Sequence, residues 1–112
     1  MEEEIEVTRS GGNVYADLGF PNPEEELAKA KIVRQISAIL KERHLTQAKA
    51  GELLRISQPK VSALLRGHTE GYSIERLLRL LLLLDRDVEI VVKPRDPSAS
   101  SGQITVAALS AR

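Results

Sequence analysis

The sequence predicts a mainly α-helical fold: a helix-turn-helix bundle of four to five helices with a β-strand near the carboxyl end. Three observations carry that prediction. The stretch TQAKAGELLRISQPKVSALLRG, Thr46 to Gly67, reads as two short helices joined by a tight corner. On either side of it, residues 23–44 and 73–85 hold apolar residues at helical spacing. Further on, DVEIVVKP at 87–94 alternates with the two-residue period of a strand. The expected organisation is an extension over 1–22, a helix-turn-helix domain with its strand over 23–94, and a flexible tail over 95–112.

The bulk numbers bound the answer. A chain of 112 residues suits one domain with a single modest core. Aromatics are only 3% of residues, so the core must be Leu, Ile, Val and Ala. There is no cysteine, which excludes disulfides and thiolate metal sites. The start, MEEEIEVTRS, lacks the basic and apolar regions of a signal peptide. The run LLRLLLLLD falls far short of the roughly 20 residues that span a bilayer. A soluble, cytoplasmic chain without a membrane partner is expected. Formal net charge is zero, but the charges are unevenly placed. Glutamates crowd 2–6 and 24–26. Between Lys41 and Arg66, the bases Lys41, Arg43, Lys49, Arg55, Lys60 and Arg66 face only Glu42 and Glu52. A local basic patch, not the sum, sets the electrostatic footprint.

Taken in order, Ile5 and Val7 suggest a short strand, and Gly11-Gly12-Asn13 a turn. Val14, Tyr15, Leu18 and Phe20 are expected to tuck against the helical core, or to order on a protein partner. Asn22 is the expected N-cap of a long helix, with Pro23 at its first position and Glu24, Glu25 and Glu26 on the positive end of its dipole. Leu27, Val33, Ile36, Ile39 and Leu40 form its apolar stripe; Lys29, Lys31, Arg34, Lys41, Glu42 and Arg43 form its wet side. His44 takes the place of a helix-ending turn residue.

Thr46 caps the next helix, which opens at Gln47. Ala50 and Gly51 are small where the following helix must cross closely. Leu54, Ile56, Val61 and Leu64 fill the angle between the two. Ser57 caps the second helix, with Pro59 in its first turn where a missing N–H costs nothing. Gln58, Pro59, Ser62, Ala63 and Arg66 then point away from the apolar seam and form a face free to enter a major groove.

After the glycine-bounded loop 67–72, Ser73 caps a helix that is apolar almost all round: Ile74, Leu77, Leu78 and Leu80 to Leu84. Such a helix needs cover on two sides. A second subunit is the expected cover, met by Leu81 and Leu84 and by the strand face of Val88, Ile90 and Val92. A lone strand must pair with residues 5–8 or with its own copy. Ile104 to Ala107 is a further short strand candidate.

Roles on the exposed face follow from chemistry. Gln58 can bond adenine with both amide groups, Ser62 a base or phosphate, and Pro59 and Ala63 a thymine methyl. Thr46, Gln47, Lys49, Arg55, Ser57, Lys60 and Arg66 are expected phosphate contacts, as is His68. Catalysis is not expected. His44 and His68 have no metal-ligand spacing, Gly11-Gly12 lacks the rest of a phosphate loop, and no serine has a base at fixed spacing. Neither a metal nor a cofactor is anticipated.

LTQAKAGELLRISQPKVSALLRG resembles the helix-turn-helix of the Cro- and repressor-type (XRE) family, in the run from its second helix through its recognition helix. Arg55 departs from that pattern, standing where the family usually has glycine, at a backbone cost of roughly 1 kcal/mol. A phosphate contact would give the arginine a reason to be there. With its flanks, ADLGFPNPEEELAKAKIVRQI, YSIERLLRLL and DVEIVVKP, the chain is similar to the HigA-type antitoxins of that family over residues 16–94. The resemblance implies a lambda-repressor-like homodimer that binds the operator of its own operon in double-stranded DNA. It also implies a RelE/HigB-type toxin partner that cleaves messenger RNA. A solitary regulator of the same family, or a helix-turn-helix used for protein interaction, is the alternative.

Overall fold

The computed structural model describes residues 13–108, and within them the chain forms five helices. These are α1 (Val14–Asp17), α2 (Pro23–Glu42), α3 (Gln47–Leu54), α4 (Gln58–Leu65) and α5 (Ile74–Leu83). The expected strand at Ile5 and Val7 lies outside the described residues.

Helix α2 is the spine. Its buried stripe is Ala28, Ile32, Val33, Ile36, Ile39 and Leu40, broader than the spacing of Leu27, Val33 and Ile36 had suggested; Leu27 itself is only half-buried. Helices α1, α4 and α5 pack on it, while α3 packs on α4 and α5. The centre is Ile36, Leu54, Val61, Leu64, Leu77 and Leu84, all aliphatic, as a sequence with three aromatics requires. Lys29, expected on the wet side, is 8% exposed. Its ammonium lies 3.7 Å from Glu26 and 3.9 Å from Glu25, so the stem is covered and the charge stays partnered. Asn22 holds the N-cap position of α2 but makes no side-chain cap bond; Pro23 at the first position already removes one free N–H.

All five helices close in the same way. A residue in the left-handed region follows the last turn: Gly19, His44, Arg55, Gly67 and Asp85. The next N–H then bonds five residues back, as in Leu45 to Leu40, Ile56 to Gly51 and His68 to Ala63. Only two of the five are glycine, so three stops carry a side chain in a conformation that disfavours one.

Val14, Tyr15, Leu18 and Phe20, expected against the helical core or on a protein partner, lie in α1 and the turn after it, which packs on α2. Asn13 accepts from the Tyr15 N–H at 2.9 Å and donates to Pro23 O at 2.8 Å, which fixes the segment to the start of α2. Tyr15 and Phe20 pack edge to face on each other, centroids 5.2 Å apart. Val14, Leu18 and Phe20 remain exposed.

Helix α5 corrects a second expectation. It is not apolar all round, because Glu75, Arg76 and Arg79 give it a wet strip, with Arg79 and Glu75 paired at 2.8 Å. Leu77, Leu80, Leu81 and Leu84 face the chain's own core. Leu84 is 0% and Leu81 8% exposed, so neither has surface left for a second subunit. Leu82 is the large apolar side chain of α5 that stands exposed.

No β-strand forms among the described residues. Residues 87–94 find no ladder partner there, and a strand exists only through such a ladder. Val88 is half-buried on the core, while Ile90, Val91 and Val92 lie in solvent. Beyond them the chain turns at Asp96. The Ser98 N–H and hydroxyl both donate to its carboxylate at 2.9 Å, and these bonds hold the carboxyl below its ordinary range. The part of the tail described here is then tied back: the Ile104 N–H donates to Glu24 at 3.0 Å, and Val106 rests on the core. The expected strand at Ile104 to Ala107 does not form. Among the described residues no helix is long and apolar enough to cross a membrane.

Candidate nucleic-acid interface

The site is built by the α3–α4 corner. Thr46 accepts from the Lys49 N–H at 3.0 Å and starts α3; Ser57 accepts from the Lys60 N–H at 3.3 Å and starts α4. Both hydroxyls act as caps, and each keeps its hydrogen for another acceptor. Arg55 adopts φ 63° and ψ 37°, the left-handed geometry its position demands. Gly51 explains how tightly the corner closes. A Cβ there would stand 2.8 Å from the backbone oxygen of Ile56, closer than real Cβ atoms come. Ala50 and Leu54 on α3 meet Val61 and Leu64 on α4 inside the same core.

With the seam buried, the other side of α4 is left outward. Gln58, Pro59, Lys60 and Arg66 are exposed. Ser62 and Ala63 are half-buried, less open than their spacing suggested. The cause is local: Arg66 folds back and donates to Ser62 Oγ at 2.6 Å, while Ala63 lines a depression beside the helix. Gln58, Ser62 and Arg66 recur every four residues and share one stripe; Pro59 and Ala63 form the stripe beside it.

On α3, Gln47 is exposed in the first turn. Lys49 pairs with Glu52 at 3.4 Å, both side chains more than half exposed, so the pair is weak and the lysine can exchange it for a phosphate. His68 lies 4.0 Å from Glu70.

Two residues of the site escaped the sequence reading. The depression of about 370 Å³ beside α4 is lined by Lys60, Ala63, His68, Glu70 and Gly71, and also by Tyr72 and Arg76. The Arg76 guanidinium lies 4.7 Å above the Tyr72 ring, a cation–π contact at the start of α5. The signal was present in the four-residue spacing of the pair across the Ser73 cap, but residues 67–72 read only as a loop.

Comparison with known proteins agrees with this geometry. No curated protein matches the chain. A solved structure described as an XRE family transcriptional regulator is 42% identical, covers 80% of this chain and 100% of its own, and superposes with a TM-score of 0.73. A family described as a helix-turn-helix domain matches residues 14–93, which include all five helices. The chain therefore belongs to the helix-turn-helix domain family, and within it to the XRE type.

Proposed function

We propose that this protein is a sequence-specific DNA-binding transcriptional regulator that represses its own operon as a homodimer. The reading rests chiefly on one observation: α4 buries Val61 and Leu64 and leaves Gln58, Pro59, Ser62 and Ala63 on the outward side, with basic side chains around them. Gln58 reads adenine, Pro59 and Ala63 meet thymine methyls, and Thr46, Gln47, Lys49, Arg55, Ser57 and Lys60 hold phosphates. So few base readers give one copy little affinity. Two copies on half-sites about one helical turn apart supply it. The exposed run Ile90–Val92 is the self-association surface in this reading.

The finer assignment is an antitoxin with a RelE/HigB-type toxin as protein partner. It is supported by the resemblance over residues 16–94 and by the exposed Val14, Leu18 and Phe20 beside α2. A solitary regulator of the same type needs no such partner, and co-purification with the product of a neighbouring reading frame separates the two. For DNA recognition itself, the test is selection of bound sites from random duplexes. Gln58→Ala should lower affinity for the selected site by roughly 1–3 kcal/mol and relax one base position. If the variant keeps the wild-type preference at every position, the reading face is misassigned.

A further inference from the structure

We propose that Arg66 reads a guanine and that Ser62 is the residue that positions it. The inference rests on the DNA-binding reading above and names a second base for it. Arg66 stands at the C-cap of α4, one turn beyond Ser62, and its Nη1 donates to Ser62 Oγ at 2.6 Å. That bond draws the guanidinium back along the helix to the level of Ser62, in the direction long helical side chains naturally lean. A phosphate clamp has a different requirement. It reaches outward from the helix end to the rim of the groove, where a loosely held charge suffices.

Here the fork is held over the middle of the outward face, on the stripe that begins at Gln58. One of its five N–H donors is used by Ser62, and the others remain for O6 and N7 of guanine. Ser62 is half-buried, so its oxygen is a fixed post and a poor reader in its own right. It accepts from Arg66 and retains its own hydrogen for a second acceptor. Arg66 is thereby biased toward this conformation before DNA arrives, which lowers the ordering cost of the contact. The half-site then carries an adenine opposite Gln58 and a guanine opposite Arg66.

The test uses the full chain. Wild type, Arg66→Lys, Arg66→Ala and Ser62→Ala are each used to select sites from random duplexes, and affinities are measured across a salt series. Lysine keeps the charge and loses the fork. Arg66→Lys should lose about 5- to 150-fold of preference for guanine at one position, with its salt slope unchanged. Ser62→Ala should weaken the preference at that same position by a smaller factor, and adding it to Arg66→Lys should cost nothing more. The inference is overturned if Arg66→Lys selects the wild-type site while Arg66→Ala flattens the salt slope by about 0.9, the mark of one phosphate. It is also overturned if Ser62→Ala relaxes a different position. A wild-type protein that selects no sequence would instead sink the DNA-reading role as a whole.

Discussion

Around the α3–α4 corner, each large apolar side chain finds cover within the chain. Leu54, Val61 and Leu64 are at most 2% exposed, and Ile56 rests on the same core. After Asp85 the same residue types go uncovered: Ile90, Val91 and Val92 are 75%, 69% and 92% exposed. The difference is in the kind of bond each segment needs. A helix satisfies its backbone from within and asks only for a packed face. An extended segment needs another chain segment for its backbone as well. The corner is complete in one copy, and the uncovered segment after α5 is the surface that the proposed homodimer would use.

Substitutions put that contrast to the test. The largest effect is expected at Leu84. Its replacement by alanine should lower monomer stability by about 2–5 kcal/mol in denaturant unfolding, whereas Leu82→Ala should cost less than about 1 kcal/mol. Equal costs would mean that α5 is not packed as described. Gly51→Ala comes next. Alanine favours the helix by about 1 kcal/mol, but its Cβ meets the backbone oxygen of Ile56, which cannot swing away. Overpacking costs about 1–3 kcal/mol, so strain should win and the melting temperature should fall; a rise would show that the corner has slack. Val92→Lys should leave monomer stability within about 0.5 kcal/mol and reduce self-association in sedimentation. Dimers that persist at wild-type concentration would place the seam elsewhere. The smallest effect belongs to Arg55→Gly. Relief of the left-handed strain, about 1–2 kcal/mol, is partly offset by unfolded-state entropy of about 0.4–1 kcal/mol. A slight gain in stability and a slight loss of DNA affinity are expected. A gain in both would remove the phosphate role of Arg55.

How much of this was legible in the sequence follows the same division. Caps at Thr46, Ser57 and Ser73, the small residues at 50 and 51, and the strained Arg55 were readable because each is a local requirement with few residue types that meet it. Lys29 was misread because a basic residue counts as wet in a periodicity reading, yet here its stem is covered while Glu25 and Glu26 partner the charge. Leu81 and Leu84 were assigned to a partner for a related reason. Five consecutive leucines hide which side of the helix the core will claim, and that depends on where α2 lies. At the site, Gln58, Pro59 and Arg66 are exposed as their spacing suggested, while Ser62 and Ala63 are half-buried. The bond between Arg66 and Ser62 was not seen, since it is a rotamer choice made after the fold is set.

The first turn of α2 anchors two flanks at once, Asn13 through Pro23 O and Ile104 through Glu24. Apart from the packing of α1 on α2 and of Val106 on the core, each flank is held by a few partly or fully solvent-exposed polar ties, while the helices share an aliphatic centre. Such a molecule should open in stages. In deuterated water the amides of 13–20 and of 96–106 should exchange early and together, and those of Ile36, Leu64 and Leu77 only when the entire chain comes apart.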